Sequence, residues 1–242
     1  MKKKHEGYQD YILSNKSWFE KFIEKNFKYS TIKKLYFTLS RVAIFYLRYI
    51  PNISVSKYIL DIGCGPGESL DYIKRYVNSD AELFGIDLDR NKNLSEFVNF
   101  FQVDVDENKL PFHDSFFDIV ISTFVLEHLK NPQKLFTEVK RVLKNRGYFY
   151  CVTENYTSIF LPGKFNFYSD PTHVRPWTKE SLKALAQMCG FEVIKIGHFR
   201  PIEFFLLIPF VPILNWIFRL KSSFVIYEAI FGKSIYCILK KP

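Results

Sequence analysis

The sequence predicts an α/β fold built on a doubly wound, mostly parallel sheet of seven strands, with helices ahead of it and one apolar insert before the last strand. Three observations lead there. The apolar run Tyr58–Ile62 passes straight into glycines at alternate positions, Gly63, Gly65 and Gly67, and then into a helix-like segment. Glycine at such a junction lets the backbone turn sharply and lets a ligand lie against bare peptide groups. Two further short apolar stretches end in carboxylates, at Asp87 and Asp104, and the first carries Asp61 near its end; in a doubly wound sheet those carboxyl ends line one crevice. Finally, strand-like and helix-like segments alternate as far as residue 197, the pattern of successive βαβ units.

Taken in order, residues 8–28 and 31–50 read as helices. In the second, Lys34, Arg41 and Arg48 recur at sevens with Thr38 between them, one polar stripe on an apolar, aromatic helix that Pro51 ends. Such a helix either caps the sheet or lies as a basic amphipathic helix at a membrane surface. Strands are expected at 57–62, 82–87, 99–103, 116–122, 147–153 and 191–197. Helices are expected at 67–77, 91–97, 132–144 (opened by Asn131-Pro132) and 179–188, the last capped by Thr178 and stopped at Gly190. Phe204 to Phe218 is almost wholly apolar, broken by Pro209 and Pro212 and flanked by Arg200 and Arg219. It is shorter than the ~20 residues a bilayer span needs and reads as a lid, an interfacial insertion or a segment buried on the N-terminal helices. Ser234 to Leu239 supplies the last strand. The organisation is a basic helical cap, 1–56, and a cofactor domain, 57–242, carrying the insert 200–232.

The net charge of +9 is unevenly placed. Residues 1–56 hold 11 basic and 4 acidic side chains, residues 57–194 hold 16 and 19, and residues 195–242 hold 7 and 2. A mildly acidic centre between basic flanks points to an anionic partner for the flanks. The four cysteines, 64, 151, 189 and 237, are scattered without a C-x-x-C pair, which argues for a reducing compartment and against a disulfide framework or a zinc site. No metal is expected. No secretory signal is visible at the start, so the chain reads as cytoplasmic, with peripheral contact on the inner membrane face.

The glycine turn implies an adenosine-containing cofactor, and two details select which. A dinucleotide site reads G-x-G-x-x-G; here the spacing is G-x-G-x-G, and Glu68 stands where the third glycine would fall. An acid at a helix start repels a pyrophosphate, whereas S-adenosylmethionine carries no phosphate and has a cationic sulfonium and amine that suit Asp61 and Glu68. Asp87 lies 20 residues after Gly67, the separation at which an acid grips ribose hydroxyls.

These residues, with Gly85–Asp89, Leu110-Pro111-Phe112 and Phe117–Leu129, resemble the class I S-adenosylmethionine-dependent methyltransferases, a Rossmann-like family, and within it the type 11-like branch acting on small molecules and sugars. The resemblance spans roughly residues 57–198 and the final strand. It implies that Gly63, Cys64 and Gly65 pass along the methionine part of the cofactor, with Asp61 and Gly67 shaping the turn. Asp87 would take the ribose hydroxyls and Leu88 would lie against adenine. Asp104, aided by the Val105 backbone, would bind the adenine amine, although Asp106 and Glu107 offer alternative registers. Ser122 and Thr123, with Phe124, would run beside the methyl group.

Methyl transfer asks the protein to align a nucleophile and accept its proton. Two segments qualify: Glu127-His128, after strand four, and Ser169-Asp170-Pro171-Thr172-His173-Val174-Arg175-Pro176, which resembles a loop common in sugar-type relatives. His173 is the favoured base or acceptor ligand, with His128 second. Asp170 and Arg175 are candidate acceptor contacts, Arg175 either gripping an anionic group or pairing with Asp170. His113 and His198 read as surface or packing residues. No Asn/Asp-Pro-Pro-aromatic tetrapeptide and no Pro-Cys follows strand four, which reads Ser122-Thr123-Phe124-Val125. This disfavours nucleobase or glutamine amino-methylation and cytosine C5 methylation. The leading expectation is O-methylation of a glycan or lipid-linked small molecule at the cytoplasmic membrane face. The alternatives are an RNA methyltransferase, suggested only by the basic charge and with nucleic acid otherwise unfavoured, and a non-catalytic module of the same fold.

Overall fold

The computed structural model describes Ile44 and residues 47–199, 208–210, 212–213 and 230–242. Its strands are β1 (Tyr58–Ile62), β2 (Glu82–Asp87), β3 (Val98–Gln102), β4 (Phe117–Thr123), β5 (Leu143–Glu154), β6 (Glu192–His198) and β7 (Ser234–Lys240). Its α-helices are α1 (Glu68–Tyr76), α2 (Pro132–Val142) and α3 (Lys179–Met188). The strands form one seven-stranded sheet in the order β3-β2-β1-β4-β5-β7-β6. Its first five strands are parallel to their neighbours, and β7 runs antiparallel between β5 and β6. The chain moves from β1 outward to β3, then returns to the other side of β1 with β4. That reversal leaves a crevice between the carboxyl ends of β1 and β4, the place where open α/β sheets bind ligands.

Alternation along the strands explains the two-sided core. Ile59, Ile119, Ile121, Tyr150, Val152, Tyr236 and Ile238 face one way and pack with Leu70 and Ile73 of α1 and with Ile44, Leu47, Ile50 and Ile53. Leu60, Ile62, Val120, Phe149, Cys151, Ile235, Cys237 and Leu239 face the other way, onto α2 and α3. At ~25 cal/mol per Å² of apolar surface removed from water, burial on both faces is the main force closing the sheet. Asn131 caps α2 by accepting the Lys134 N–H at 3.2 Å, with Pro132 at the first helical position, and Thr178 and Ser181 form a capping box at the start of α3.

Two elements differ from the sequence expectation. Residues 91–97 are turns, not a helix: the Asn91 side chain accepts the Asn93 N–H at 2.9 Å, and its carbonyl accepts from Leu94, the side-chain competition by which Asn favours turns. Strand β5 starts at Leu143, directly after α2 and four residues earlier than expected. An irregularity in the β4–β5 pairing between Phe117 and Ile119, with Arg146 at φ 63°, absorbs the early start. The helix expected at 8–28 and most of that expected at 31–50, with Lys34 and Arg41, lie outside the described residues, as does most of the apolar stretch 204–218; of the second helix, Ile44 is helical and Leu47–Tyr49 is a 3-10 turn. Among the described residues no helix is long and apolar enough to cross a membrane.

Candidate active site

The glycine turn is held from behind by β2. The N–H groups of Gly63 and Cys64 both donate to the Ile86 carbonyl, at 2.8 and 3.0 Å. The Gly65 N–H donates to Asp87 Oδ2 at 2.8 Å, and the Leu88 N–H to Asp87 Oδ1 at 2.7 Å. Gly63, Gly65 and Gly67 all adopt positive φ, which side chains disfavour. They differ in what surrounds them. A Cβ on Gly63 would sit 2.3 Å from Val125 Cγ2, whereas one on Gly65 would meet nothing within 4 Å. Gly63 is thus needed for packing, and Gly65 borders open space. Cys64 is buried, and burial, with Asp61 nearby, pushes its thiol far above the ordinary range, so it contributes backbone and volume and not a nucleophile.

Two buried polar atoms at this turn lack a hydrogen-bond partner: Asp61 Oδ1 and Ser122 Oγ. They stand on adjacent strands at the switch point, where Ile62 of β1 pairs with Ser122 of β4. Burial, and then the nearby Asp87, push the Asp61 carboxyl up to about 8. An orphaned, buried carboxyl is costly unless a ligand satisfies it. Just beyond, Phe124 is held at φ 57° with its N–H bonded to the Val152 carbonyl, a left-handed bulky residue of the kind that collects at functional sites.

The loop after β3 separates the alternative registers. Asp106 accepts the N–H groups of Lys130 and Asn131, at 3.0 and 3.1 Å, and so ties this loop to the start of α2. Asp104 is exposed, with Oδ1 accepting the Asp106 N–H, and Val105 packs on the α2 side of the core.

Opposite the glycine turn, the ends of β4 and β5 meet the loop 167–175. Glu127 is fully buried; its Oε2 accepts the Thr153 hydroxyl at 2.8 Å, its Oε1 has no partner, and its carbonyl takes the Val174 N–H at 2.7 Å. Burial drives its carboxyl up to about 8. Thr172 donates its hydroxyl to Asp170 at 2.6 Å, so at its 2.8 Å contact with His128 it must accept, and His128 Nδ1 carries the proton. His173 Nδ1 donates to the Phe167 carbonyl at 2.7 Å. In their neutral forms both rings are therefore Nδ1–H tautomers with the lone pair on Nε2, and they lie 4.7 Å apart between centroids. One donor atom each from Glu127, His128 and His173 falls within 4.8 Å of the others.

The remaining candidates separate. Asp170 holds Thr172 behind His128, and its Oδ2 lies 4.0 Å from His173 Nε2, on the unanchored side of that ring. Arg175 is exposed, bonds the Lys130 carbonyl at 2.9 Å and lies over Trp177; among the described residues no ion pair joins it to Asp170. The His198 ring bonds Asn155 at 3.1 Å, a packing contact. Glu127 was named by sequence only as part of the Glu127-His128 segment, with no role of its own. The available signal was an acid between Leu126 and Leu129, an apolar setting that forecasts burial.

A family model for the methyltransferase domain matches residues 36–196, more than half of the chain. The chain belongs to this methyltransferase family. Among its relatives, the biotin biosynthesis bifunctional protein BioHC of Teredinibacter turnerae is 26% identical over 169 residues, covering 63% of this chain and 29% of that protein. The chain thus spans under a third of BioHC. A demethylmenaquinone methyltransferase of Chlamydia trachomatis is 25% identical over 167 residues, covering 61% of this chain and 73% of the relative. The crystal structure of a SAM-dependent methyltransferase from Archaeoglobus fulgidus is similar with a TM-score of 0.59 at 25% identity, over 93% of this chain and all of the other. The Haemonchus contortus phosphoethanolamine N-methyltransferase 2 in complex with S-adenosylmethionine shares the fold, with a TM-score of 0.62 at 17% identity over 94% of this chain and 61% of that one. This protein is a class I SAM-dependent methyltransferase, and S-adenosylmethionine is its cofactor. The seven-stranded methyltransferase sheet agrees with the fold expected from sequence.

Proposed function

We propose that this methyltransferase transfers a methyl group to a hydroxyl of a glycan or lipid-linked small molecule at the cytoplasmic face of a membrane. The observation that carries the reading is the pairing of two half-sites: orphaned Asp61 and Ser122 atoms over an open glycine turn, and a His128–His173 pair with both Nε2 lone pairs set by their hydrogen bonds. The first half-site suits the cofactor. Asp61 offers its carboxyl to the methionine amine, Gly63, Cys64, Gly65 and Gly67 form the cradle, and Asp87, at the end of β2 beside the glycine turn, takes the ribose hydroxyls. Leu88 lies at the adenine position, Asp104 and Val105 border it, and Ser122 and Thr123 flank the methionine. S-adenosylmethionine supplies an electrophilic methyl on its sulfonium; the protein's share is alignment and removal of the acceptor's proton.

At the second half-site the acceptor hydroxyl is activated at the histidine pair, His173 first and His128 second, with Asp170 and Thr172 fixing the orientation of His128. Exposed apolar side chains support an apolar acceptor: Tyr156, Phe160 and Tyr168 follow β5, and Phe210, Ile213 and Phe231 belong to the insert. Arg175, with a surface guanidinium, suits a phosphate on the same acceptor. The relatives named for demethylmenaquinone and phosphoethanolamine are consistent with a small-molecule acceptor.

The test is transfer of a carbon-13 methyl from labelled cofactor to a lipid extract, to soluble glycans and to total RNA. Label in the organic phase with the carbon-13 shift of an O-methyl supports the reading. Label in RNA, or an N-methyl shift, overturns it, and cofactor binding without transfer to any class favours a non-catalytic module.

A further inference from the structure

We infer that Glu127, His128 and His173 form a divalent transition-metal site at the acceptor end of the active site. Three features of the cluster point the same way. First, the donors converge, one from each residue within 4.8 Å of the others; two ligands on one ion at about 2.0–2.2 Å stand roughly 3–3.5 Å apart, so closure asks for rotamer adjustments on the order of 1.5 Å. Second, each imidazole donates its Nδ1–H to a fixed acceptor, His173 to the Phe167 carbonyl and His128 to Thr172, itself held by Asp170. Metal-ligating histidines are oriented in this way, with the remote N–H anchored and the other nitrogen presented to the ion. Third, Glu127 is fully buried and its Oε1 has no hydrogen-bond partner. A buried carboxyl oxygen with no partner is costly, and a bound cation would satisfy it.

The donor set selects the ion class. Two imidazoles and a carboxylate suit zinc, iron(II), cobalt(II) or manganese(II), whereas magnesium and calcium favour all-oxygen sets. Three protein ligands leave positions open for another oxygen, the arrangement of a reactive site. The inference rests on the O-methyltransferase reading and says how the histidine pair activates the acceptor. A hydroxyl bound to the ion becomes more acidic and releases its proton to water; its oxygen then takes the methyl as the carbon–sulfur bond breaks, leaving S-adenosylhomocysteine as the neutral sulfide.

The experiment uses tag-free full-length protein stripped with chelator, titrated with cobalt(II) while its visible absorption is followed, and repeated with zinc by calorimetry. Binding of S-adenosylhomocysteine is measured on the same samples. One cobalt per chain is expected, with the absorption band lost in Glu127→Gln and affinity lowered roughly 10–100-fold in Thr172→Val, which removes the hydroxyl linking His128 to Asp170 but none of the three ligands. No stoichiometric cobalt or zinc binding by protein that still binds S-adenosylhomocysteine would overturn the metal site and leave the methyltransferase reading standing. Cobalt binding unchanged in Glu127→Gln and Thr172→Val would overturn it as well, by placing the ion elsewhere. Loss of S-adenosylhomocysteine binding by wild type would instead count against the cofactor half-site.

Discussion

Replacing Asp61 by Asn isolates the cofactor half-site from the fold that carries it. Asp61 is buried with Oδ1 unpartnered, and burial, then Asp87, raise its carboxyl from 3.8 to about 8. The unfolded chain releases this proton near 3.8, while the folded chain keeps it to about 8. The stability it contributes is therefore complete below pH 4 and is lost as pH rises through about 8. Between pH 5 and 8 that loss is on the order of 4 kcal/mol, three decades at 1.36 kcal/mol each. For a chain of this size it corresponds to roughly 10 °C in melting temperature. Asn cannot ionise, so the variant without cofactor should melt higher than wild type at pH 8 and show a shallower pH slope. Glu127, also raised to about 8 by burial, keeps part of the slope in both proteins. S-adenosylhomocysteine titration by calorimetry provides the second axis. The Asn variant should bind at least ~10-fold more weakly, because an amide meets the ligand's ammonium without a charge. The reasoning is refuted if melting curves of the two proteins run parallel from pH 5 to 8, or if the variant binds as tightly as wild type.

Other substitutions separate the remaining roles. Asp87→Ala removes the acceptor of the Gly65 and Leu88 N–H groups and should weaken S-adenosylhomocysteine by about 100-fold, as read by calorimetry, in line with the loss of two charge-assisted hydrogen bonds. Gly63→Ala, whose Cβ would sit 2.3 Å from Val125, should lower stability to urea by roughly 2–3 kcal/mol. Gly65→Ala, with open space around it, should cost only about 1 kcal/mol for its positive φ while blocking the cofactor; equal stability losses in the two variants would contradict the assignment. His173→Gln should lower kcat by roughly 10²–10⁴-fold, the range expected when activation of the acceptor hydroxyl is lost, and leave S-adenosylhomocysteine affinity unchanged.

The glycine turn and its support on β2 were legible in sequence because every part of them is local. A strand, a glycine turn and the next strand's acid lie within 30 residues, from Tyr58 to Asp87, and the backbone bonds from Gly63, Cys64 and Gly65 to Ile86 and Asp87 follow from strand order alone. Strand faces were legible for the same reason, since alternation is written residue by residue. What escaped depends on side chains acting on backbone or on distant contacts. Residues 91–97 have helical spacing, yet Asn91 captures the backbone at Asn93. Of the two expectations for Arg175, the pairing with Asp170 is absent among the described residues, because Asp170 is engaged with Thr172 and Arg175 bonds the Lys130 carbonyl.

The acceptor half-site marks the limit most sharply. His128 and His173 stand 45 positions apart, and no periodicity links them. They meet because the Glu127 carbonyl takes the Val174 N–H, a main-chain contact that leaves no mark on side-chain composition. The same contact draws the loop 167–175 over the ends of β4 and β5 and buries Glu127 beneath it. A sequence reading sees an acid among leucines before a histidine. The fold buries it with one carboxylate oxygen bonded to Thr153 and the other unpartnered, beside two oriented imidazoles, a convergence that strand alternation and residue spacing do not encode.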